Sequence, residues 1–336
     1  MKRNFFLALI MKAVDVEILK FLEAKAQFFV PIYQRNYSWQ DKQCNKLLND
    51  IINVAKDAKR ENYYIGSVVY IPETTKNITA TSESMIIDGQ QRLTTISILL
   101  IALGEYTNFY CTENNIPVEN FTTQFKILRD DYLVNRNVNG DLYYKLKLKE
   151  ADFEEYKFLI SNPLHESENP GHILKNYYLI LNALKASNIN PSVIFSGIMK
   201  LKIVDTRIDS SENGQLVFEA LNTTGLPLSV ADQVRNFLIM NFAPHEQEYL
   251  YKNYWKQIEK NCSDKEHDRK FESFFRDYLT VLLNELPRDR EAYYDLFKNY
   301  CYSAANPGNM KDKLLHICAY SANYNRLNNL DGNGSQ

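Results

Sequence analysis

The central motif of this sequence is Met85-Ile86-Ile87-Asp88-Gly89-Gln90-Gln91-Arg92-Leu93-Thr94-Thr95. The apolar run before Asp88 predicts a short buried strand, and Asp88-Gly89 is a dipeptide typical of turns. After the turn, leucine and isoleucine recur at helical spacing as far as Leu103. The motif therefore predicts a strand that turns directly into a helix, with two glutamines and an arginine in the first helical turn.

These polar residues give a first hypothesis for a binding site. The amides and the dipole at the start of a helix favour anions, and the planar guanidinium of Arg92 suits phosphate. An anion or nucleotide site is one interpretation. The other is that Asp88 caps the helix, Gly89 supplies the turn, and the next three side chains form a solvated first turn. The residues alone leave both interpretations open.

A second candidate is the loop Tyr33-Gln34-Arg35, which follows a strand predicted over residues 28–32. An aromatic face together with a guanidinium can stack on a base and hold a phosphate. The alternative is structural, with the nearby Tyr37 and Trp39 in the core and Arg35 paired with a carboxylate.

A third candidate lies near the segment 218–228. Asn222 offers a hydrogen-bond donor and an acceptor, and Gly225 follows in a predicted turn. The common alternative is that Asn222 caps a helix and Gly225 only supplies the turn. On the next predicted helix, which opens at Ser229 with a capping pattern, the spacing places Asp232, Arg235 and Asn236 on one face. An intrahelical salt bridge is the alternative for that set.

Four segments, in order, resemble the N-terminal domain family of GmrSD-type restriction endonucleases. They are Asp88-Gly89-Gln90-Gln91-Arg92 and the segments at residues 30–39, 64–69 and 218–228. The segment at 30–39 carries Pro-x-Tyr-Gln-Arg-x-Tyr-x-Trp, and the one at 218–228 carries Phe-x-x-x-Asn-x-x-Gly-x-x-Leu. The resemblance extends from about residue 28 to about residue 240 and implies a ParB/sulfiredoxin-like fold.

The resemblance also implies roles for particular residues. Asp88, Gln90, Gln91 and Arg92 would be catalytic, with the glutamines orienting a triphosphate or an attacking water. The nucleotide would be bound by Tyr33, Gln34, Arg35, Gly89, Arg92, Thr94, Asn222 and Gly225. Asp232, Arg235 and Asn236 would support the site, and Arg235 stands where the family often has lysine. This hypothesis of a single nucleotide site requires Arg35 and Arg92 to lie in one pocket.

The function implied is a nucleotide-binding sensor domain, hydrolysing NTP with Mg²⁺, in a prokaryotic restriction or phage-defence system. Its expected partners are a nucleoside triphosphate, foreign or modified DNA, and a separate or missing His-Asn-His nuclease domain. Two alternatives stay open: a ParB-like binding module without turnover, and a ParB-fold phosphotransferase. The five histidines form no His-Asn-His or metal-binding pattern. Neither nuclease activity nor a direct protein metal cluster is therefore expected in this chain.

Composition limits the class of protein. The net charge of -2 gives no global basic character, so contact with nucleic acid requires a local patch. The five cysteines are scattered and contain no Cys-x-x-Cys pair, which favours reduced thiols and a cytoplasmic location. No segment has the length and apolar character of a membrane span.

The predicted fold class is α+β. A small ParB/sulfiredoxin-like α/β unit is expected over residues 12–135, with its first helix at 14–24. A mostly helical region is expected over residues 136–327, interrupted by an apolar run at 201–208. A disordered tail is expected over residues 328–336.

Overall fold

The computed structural model describes residues 11–73, 81–163, 167–209, 229–240, 242–262, 267–287, 289, 292–303 and 308–331. Contacts divide the chain into two compact units. The sheet unit comprises Met1–Pro31 and Asn36–Asn213, and the helical unit comprises Ile32–Arg35 and Gly214–Gln336. The short segment Ile32–Arg35 thus belongs to the helical unit, although the chain on both sides of it belongs to the sheet unit.

The sheet unit contains one mixed sheet. Within the described residues its strands are β1 (Met11–Glu17), β2 (Ala26–Phe29), β3 (Tyr63–Pro72), β4 (Ser82–Asp88), β5 (Leu146–Lys147) and β6 (Leu201–Ile208). Their order across the sheet is β1-β6-β3-β4-β2-β5. The pairs β1–β6 and β3–β4 are antiparallel, whereas β6–β3, β4–β2 and β2–β5 are parallel. The α+β class predicted from the sequence is confirmed.

The strand–turn–helix prediction at the central motif is also confirmed. β4 ends at Asp88, and helix α3 (Gln90–Asn114) begins two residues later. β4 lies between β3 and β2, so its apolar run is covered on both edges. α3 is buried on nearly every side because its apolar residues occur all round the helix. The helix ends at Asn114. The next residue, Asn115, has a φ of 53°, the left-handed conformation common just after a helix.

The remaining helices of the sheet unit surround this centre. These helices are α1 (Ile18–Glu23), α2 (Asp41–Lys56), α4 (Phe125–Leu128), α5 (Glu150–Ser161), α6 (His172–Ser187) and α7 (Pro191–Met199). α2 buries its apolar face, including Leu47, Leu48 and Ile51, and packs against α7, while α3 packs against α6. A π-helical turn, Arg129–Leu133, continues α4.

The prediction of a helix over residues 14–24 is wrong for the first half of that range. Residues up to Glu17 form β1, and only Ile18–Glu23 is helical. Val14 and Val16 are β-branched, which favours extended structure, and β1 pairs along its whole length with β6. The partner strand lies almost two hundred residues away in sequence, so local spacing did not reveal this pairing.

The predicted boundary between residues 135 and 136 also differs from the division in the structure. The apolar run at 201–208 is strand β6, which lies between β1 and β3 in the sheet. The sheet unit therefore extends to Asn213 and includes α5, α6 and α7. No linker in the sequence marks where the sheet unit ends, so these helices were predicted to belong with the later ones. In the structure α6 and α7 pack against α2 and α3, and α5 packs against α6.

The helical unit is built on an aromatic core. Tyr33, Phe237, Trp255, Phe274 and Phe297 are among its fully buried side chains. Its helices within the described residues are α8 (Val230–Ile239), α9 (Pro244–Leu250), α10 (Lys256–Cys262), α11 (His267–Leu283), α12 (Tyr293–Tyr302) and α13 (Met310–Asp331). As predicted, Ser229 caps α8, because its side chain accepts a hydrogen bond from the Asp232 amide at 3.2 Å.

The disordered tail predicted over residues 328–336 is wrong for its first four residues, and residues 332–336 lie outside the described part of the chain. α13 continues to Asp331, because the first helix-breaking residue, Gly332, comes after it in the sequence. All five cysteines are free, as the sequence predicted. Among the residues described, no helix combines the length and the apolar character needed to cross a membrane.

Candidate functional site

The junction between β4 and α3 depends on Gly89. This residue is the N-cap of α3 and has a φ of 96°, which L side chains rarely adopt. A Cβ here would lie 2.9 Å from the carbonyl oxygen of Ser67 and 3.1 Å from the Cα of Val68. The N-cap is thus a residue without a side chain, and the interpretation that Asp88 caps the helix is wrong. The start of α3 presents backbone amides that no N-cap side chain covers.

Arg92 lies in the first turn of α3 and is directed at β3. Its Nη1 donates a hydrogen bond to the carbonyl oxygen of Ser67. The contact is made at a β-bulge, where the register of β3 against β6 shifts between Tyr64 and Ser67. Gly66, with a φ of 109°, lies in this bulge, and a Cβ on it would be 2.9 Å from the Arg92 Cζ. Gly66 therefore leaves the space that the guanidinium occupies.

The electrostatics of Arg92 suit an anion. Burial lowers the pKa of the guanidinium from its usual value, and the negative charge of Asp88 acts in the opposite direction. An arginine nevertheless stays protonated in proteins, so a half-buried positive charge lies here. Arg92 has five N–H donors. Among the described residues, one of these donors, on Nη1, has an acceptor, the carbonyl oxygen of Ser67. The other donors are those that would bind a ligand.

Gln91 has a different role from the one expected. Its side-chain Oε1 accepts hydrogen bonds from the Ser38 amide at 2.8 Å and from the Trp39 amide at 3.2 Å. Its Nε2 donates to the carbonyl oxygen of Asn36 at 3.1 Å. The side chain is buried, and both ends of its amide hold the backbone of the loop Asn36–Trp39. This is a positioning role, and it leaves the oxygen of Gln91 without capacity for a water.

The same loop is fixed by a buried polar network. The hydroxyl of Tyr37 lies 2.8 Å from the Thr95 hydroxyl and accepts a hydrogen bond from Asn176 Nδ2 at 3.1 Å. Asn176 also donates to the carbonyl oxygen of Trp39 at 2.7 Å, and Asp152 accepts from the Tyr37 amide at 2.7 Å. The first two turns of α3, together with α5 and α6, therefore set the shape of this loop.

Thr94 does not direct its hydroxyl towards solvent. The side chain is buried, and its Oγ1 donates to the carbonyl oxygen of Gln90 at 2.8 Å. Such a bond to the previous helical turn is common for threonine inside a helix. The nucleotide contact expected of Thr94 is therefore replaced by an intrahelical one. Gln90 itself is half-buried at the first position of α3.

The segment Tyr33-Gln34-Arg35 belongs to the helical unit. Tyr33 is 1% exposed and packs in the aromatic core, where burial raises the pKa of its hydroxyl. It therefore presents no open face for stacking a base, contrary to the expectation from sequence. Gln34 is 3% exposed, and Arg35 is half-buried. Arg35 and Arg92 are assigned to different units, so their meeting in one pocket stays a prediction.

Arg235 holds this segment within the helical unit. Its Nε donates to the carbonyl oxygen of Tyr33, and its Nη2 lies 2.5 Å from Asp232. Its Nη1 lies 3.3 Å from Glu259, whose Oε1 also accepts from the Trp255 indole at 2.9 Å. Burial acts to lower the pKa of the Arg235 guanidinium, but the nearby carboxylates outweigh it and the pKa is raised. The salt bridge within the helix, weighed as the structural alternative, is present.

Three further predicted residues have different outcomes. Asn236 is buried, and neither the nitrogen nor the oxygen of its side-chain amide has a hydrogen-bond partner among the described residues. Asn222 and Gly225 lie outside the described residues, so their roles stay predictions. Over the described ranges, no group of three or more histidine, cysteine, aspartate or glutamate residues is placed to hold a metal ion.

Sequence reasoning missed the residues that complete the site. Ser67, Asp152 and Asn176 were not proposed, because each acts on a residue far away in sequence. Gly66 entered only within the segment 64–69 that resembles the family. A glycine inside a strand often marks a bulge or a close approach, and this is the signal that could have drawn attention to it.

A mixed sheet, a buried helix that starts from its central strand, and an arginine at that junction define an α+β protein with a candidate anion site. The chain belongs to the family described as GmrSD restriction endonuclease, N-terminal domain, which matches residues 18–239. This match confirms the family resemblance and includes the central motif as well as all of α8. The chain matches no curated protein.

Proposed function

We propose that this chain is the nucleotide-binding sensor unit of a restriction or phage-defence system. The observation that carries the proposal is the guanidinium of Arg92, half-buried at the start of α3 and hydrogen-bonded on one side to Ser67. A fixed positive charge next to uncapped helix amides favours a phosphate group. Gly66 and Gly89 support the proposal, because side chains at these positions would fill the space around Arg92 or displace the turn.

The residues present fit a triphosphate. Arg92 would bind a phosphate oxygen, and backbone amides of the first turn of α3 would bind a second one. Mg²⁺ would arrive with the triphosphate, because Mg²⁺ sites in such proteins rely on one or two carboxylates plus the phosphates. Asp88, whose charge acts on Arg92, is the carboxylate that would hold it through water.

Binding without turnover is the second candidate function. Of the two glutamines expected to orient an attacking water, Gln91 is committed to the loop Asn36–Trp39 through both ends of its amide. Gln90 is then the glutamine left for that task. This observation favours a unit that binds nucleotide as a signal, with hydrolysis slow or absent.

The wider role follows from the family. A member of the N-terminal domain family of a restriction endonuclease would act on foreign or modified DNA, with cleavage performed by a separate nuclease domain. A cytoplasmic location belongs to the same proposal, since that is where invading DNA is met.

Thermal-shift titration with ATP, GTP, CTP and UTP, each with Mg²⁺, tests the binding proposal. A ligand that binds the native state raises the melting temperature by mass action. We expect a rise with at least one nucleotide, and its loss in Arg92→Ala. Arg129→Ala is the matched control, because Arg129 is a half-exposed arginine of the same unit paired with Asp130 at 2.8 Å. No shift with any nucleotide, or an equal loss in both variants, would contradict the proposal.

Turnover is tested on the same proteins by phosphate release, with and without duplex DNA. Release that requires Arg92 and Gln90 would establish hydrolysis. Binding without release would establish the second candidate function. Binding of modified duplex DNA in the absence of any nucleotide shift would instead indicate a reader of the DNA backbone.

A further inference from the structure

A cavity of about 440 Å³ lies at the start of β2, in the sheet unit. Ala26 opens β2 and pairs with Ser82, at the beginning of the parallel strand β4. The cavity is therefore at the end of the sheet opposite Asp88, away from the proposed nucleotide site. Among the residues that line it are Glu23, Lys25, Asp131, Asn135, Arg136 and Lys145.

Lys145 brings a buried positive charge to this cavity. The side chain is 5% exposed, and its Nζ donates to the carbonyl oxygens of Leu22 at 2.6 Å and Ala24 at 2.9 Å. An ammonium has three donors, so one remains after these two bonds. In the described parts of the chain, no carboxylate lies within ion-pair distance of this nitrogen. Glu23 and Asp131 act on this charge only from beyond ion-pair distance, and a buried charge without a direct ion pair is costly, which points to an anion as its partner.

Asn135 supplies a second unsatisfied group. Its Nδ2 donates to the carbonyl oxygens of Ala26 at 3.2 Å and Leu142 at 3.0 Å, which fixes the orientation of the amide. Its Oδ1 is buried, and the residues that the structure describes offer it no hydrogen-bond donor. A buried acceptor left unpaired is also costly, and it points to a ligand that donates a hydrogen bond.

The other charges of the cavity are already neutralised or exposed. Asp130 pairs with Arg129 at 2.8 Å, and Asp131 pairs with Arg136. Glu23 and Lys25 are exposed and of opposite sign. The unbalanced groups are therefore one cation, on Lys145, and one acceptor, on Asn135. Both side chains donate hydrogen bonds to backbone carbonyls within residues 22–26, where α1 ends and β2 begins.

We propose that this cavity is a second ligand site, which binds a small carboxylate that also carries a hydrogen-bond donor. The carboxylate would pair with Lys145, and the donor would bind Asn135 Oδ1. α-Hydroxy acids and α-amino acids share this chemistry. The site is independent of the nucleotide proposal, because it uses none of the same residues.

The first experiment is a thermal-shift and calorimetric titration of the full chain with glycolate, lactate, glycine, alanine, acetate and inorganic phosphate. We expect at least one α-substituted acid to raise the melting temperature, and acetate, which lacks the donor, to do so less. The hydroxy and amino acids distinguish the two ligand sources. Binding of phosphate alone, or of acetate as tightly as the others, would overturn the proposal, as would no binding at all.

Variants locate the site. Lys145→Met should weaken binding about tenfold or more, the usual effect of losing a charge-assisted hydrogen bond. Lys147→Met is the matched control, since Lys147 follows two residues later, is partly exposed, and pairs with Asp141 at 2.9 Å. Equal effects of the two variants would overturn the assignment.

A measurement on the unchanged protein guards against a variant that fails to fold. In protein labelled with ¹³C-lysine, the bound acid should shift the Cε resonance of Lys145 and raise its apparent pKa. The resonance of Lys147 should stay in place. Burial lowers the pKa of the Lys145 ammonium to about 8, against the opposing effect of Glu23 and Asp131 and with a small contribution from Arg136. Binding of the acid should therefore weaken as pH rises and the ammonium loses its proton. A Lys145 resonance unmoved by every acid would overturn the proposal.

Discussion

The side-chain oxygen of Gln91 lies 2.8 Å from the amide nitrogen of Ser38 and is its hydrogen-bond acceptor. This bond joins two motifs that are 53 residues apart in sequence. The glutamine beside the site arginine thereby shapes the loop Asn36–Trp39 while Arg92, the next residue, remains directed at Ser67. Neighbouring residues of one helical turn thus differ in role: Gln91 fixes the loop, and Arg92 carries a half-buried positive charge at the start of α3.

The first prediction concerns Gln91. Gln91→Ala should lower the free energy of unfolding by about 1–3 kcal/mol, because buried hydrogen-bonding groups of the loop lose their partner. Hydrogen exchange at the Ser38 and Trp39 amides should become faster. Denaturant unfolding and amide exchange measured by NMR check both effects.

Thr94→Val is the control for Gln91→Ala. It removes a buried hydroxyl from the same stretch of α3, but that hydroxyl bonds within the helix to Gln90. It should leave exchange at Ser38 unchanged. If Gln91→Ala also left that exchange unchanged, the positioning role of Gln91 would be wrong.

The second prediction concerns Gly66. Gly66→Ala adds a Cβ that would lie 2.9 Å from Arg92 Cζ, at a φ of 109°. The substitution should destabilise the fold by more than about 1 kcal/mol and also abolish the nucleotide-dependent thermal shift, because the guanidinium must move.

Gly140→Ala separates backbone strain from displacement of the arginine. Gly140 has a φ of 68°, but a Cβ there meets nothing within 4 Å. We expect it to lose some stability and to keep the nucleotide shift. Loss of the shift in both variants would show that general destabilisation, and not Arg92, is responsible.

The motif at residues 85–95 was predictable because its determinants are local: an apolar run, a turn dipeptide and helical spacing. The loop it holds was not predictable in the same way. Asp152 acts on Tyr37 across 115 residues, and Asn176 acts on Trp39 across 137. Strand β6 was missed for a related reason, since an apolar run fits a buried helix as well as a strand until its pairing partner is known.

The site residues show the same limit. The sequence identified Arg92 and Arg235 as important, and both make specific buried contacts. It did not distinguish a ligand-binding side chain from a packed one. Tyr33 and Thr94 were expected to face a nucleotide, whereas Tyr33 packs in an aromatic core and Thr94 bonds to its own helix. The residue type determines the chemical character of a side chain, but its exposure to solvent depends on packing with elements distant in sequence.

The third prediction concerns the ion cluster of the helical unit. Arg235→Met should lower the free energy of unfolding by about 3 kcal/mol, because Asp232, Glu259 and the Tyr33 carbonyl lose their shared partner. Chemical denaturation, followed by the fluorescence of Trp255, measures the change. Arg235→Lys should recover only part of the loss, since an ammonium lacks the planar fork that reaches three acceptors.

Arg276→Met provides the comparison for Arg235. Arg276 pairs with Asp277 at 3.1 Å in the same unit, but both side chains are largely exposed. An exposed pair contributes less than about 1 kcal/mol. If the two arginine variants lowered the free energy of unfolding by similar amounts, the prediction that the buried ion cluster stabilises this unit more than an exposed pair would be wrong.

The last prediction concerns Lys145 and pH, in the absence of any added acid. Burial lowers the pKa of this lysine from 10.5 to about 8 in the folded chain. Between these values the unfolded chain binds a proton that the folded chain does not, so stability must rise with pH across this window. Urea unfolding at several pH values from 7.5 to 10 should show this rise, flattened in Lys145→Met and kept in Lys147→Met. A wild-type slope identical to that of Lys145→Met would mean that the amine titrates normally and that its burial does not penalise its charge.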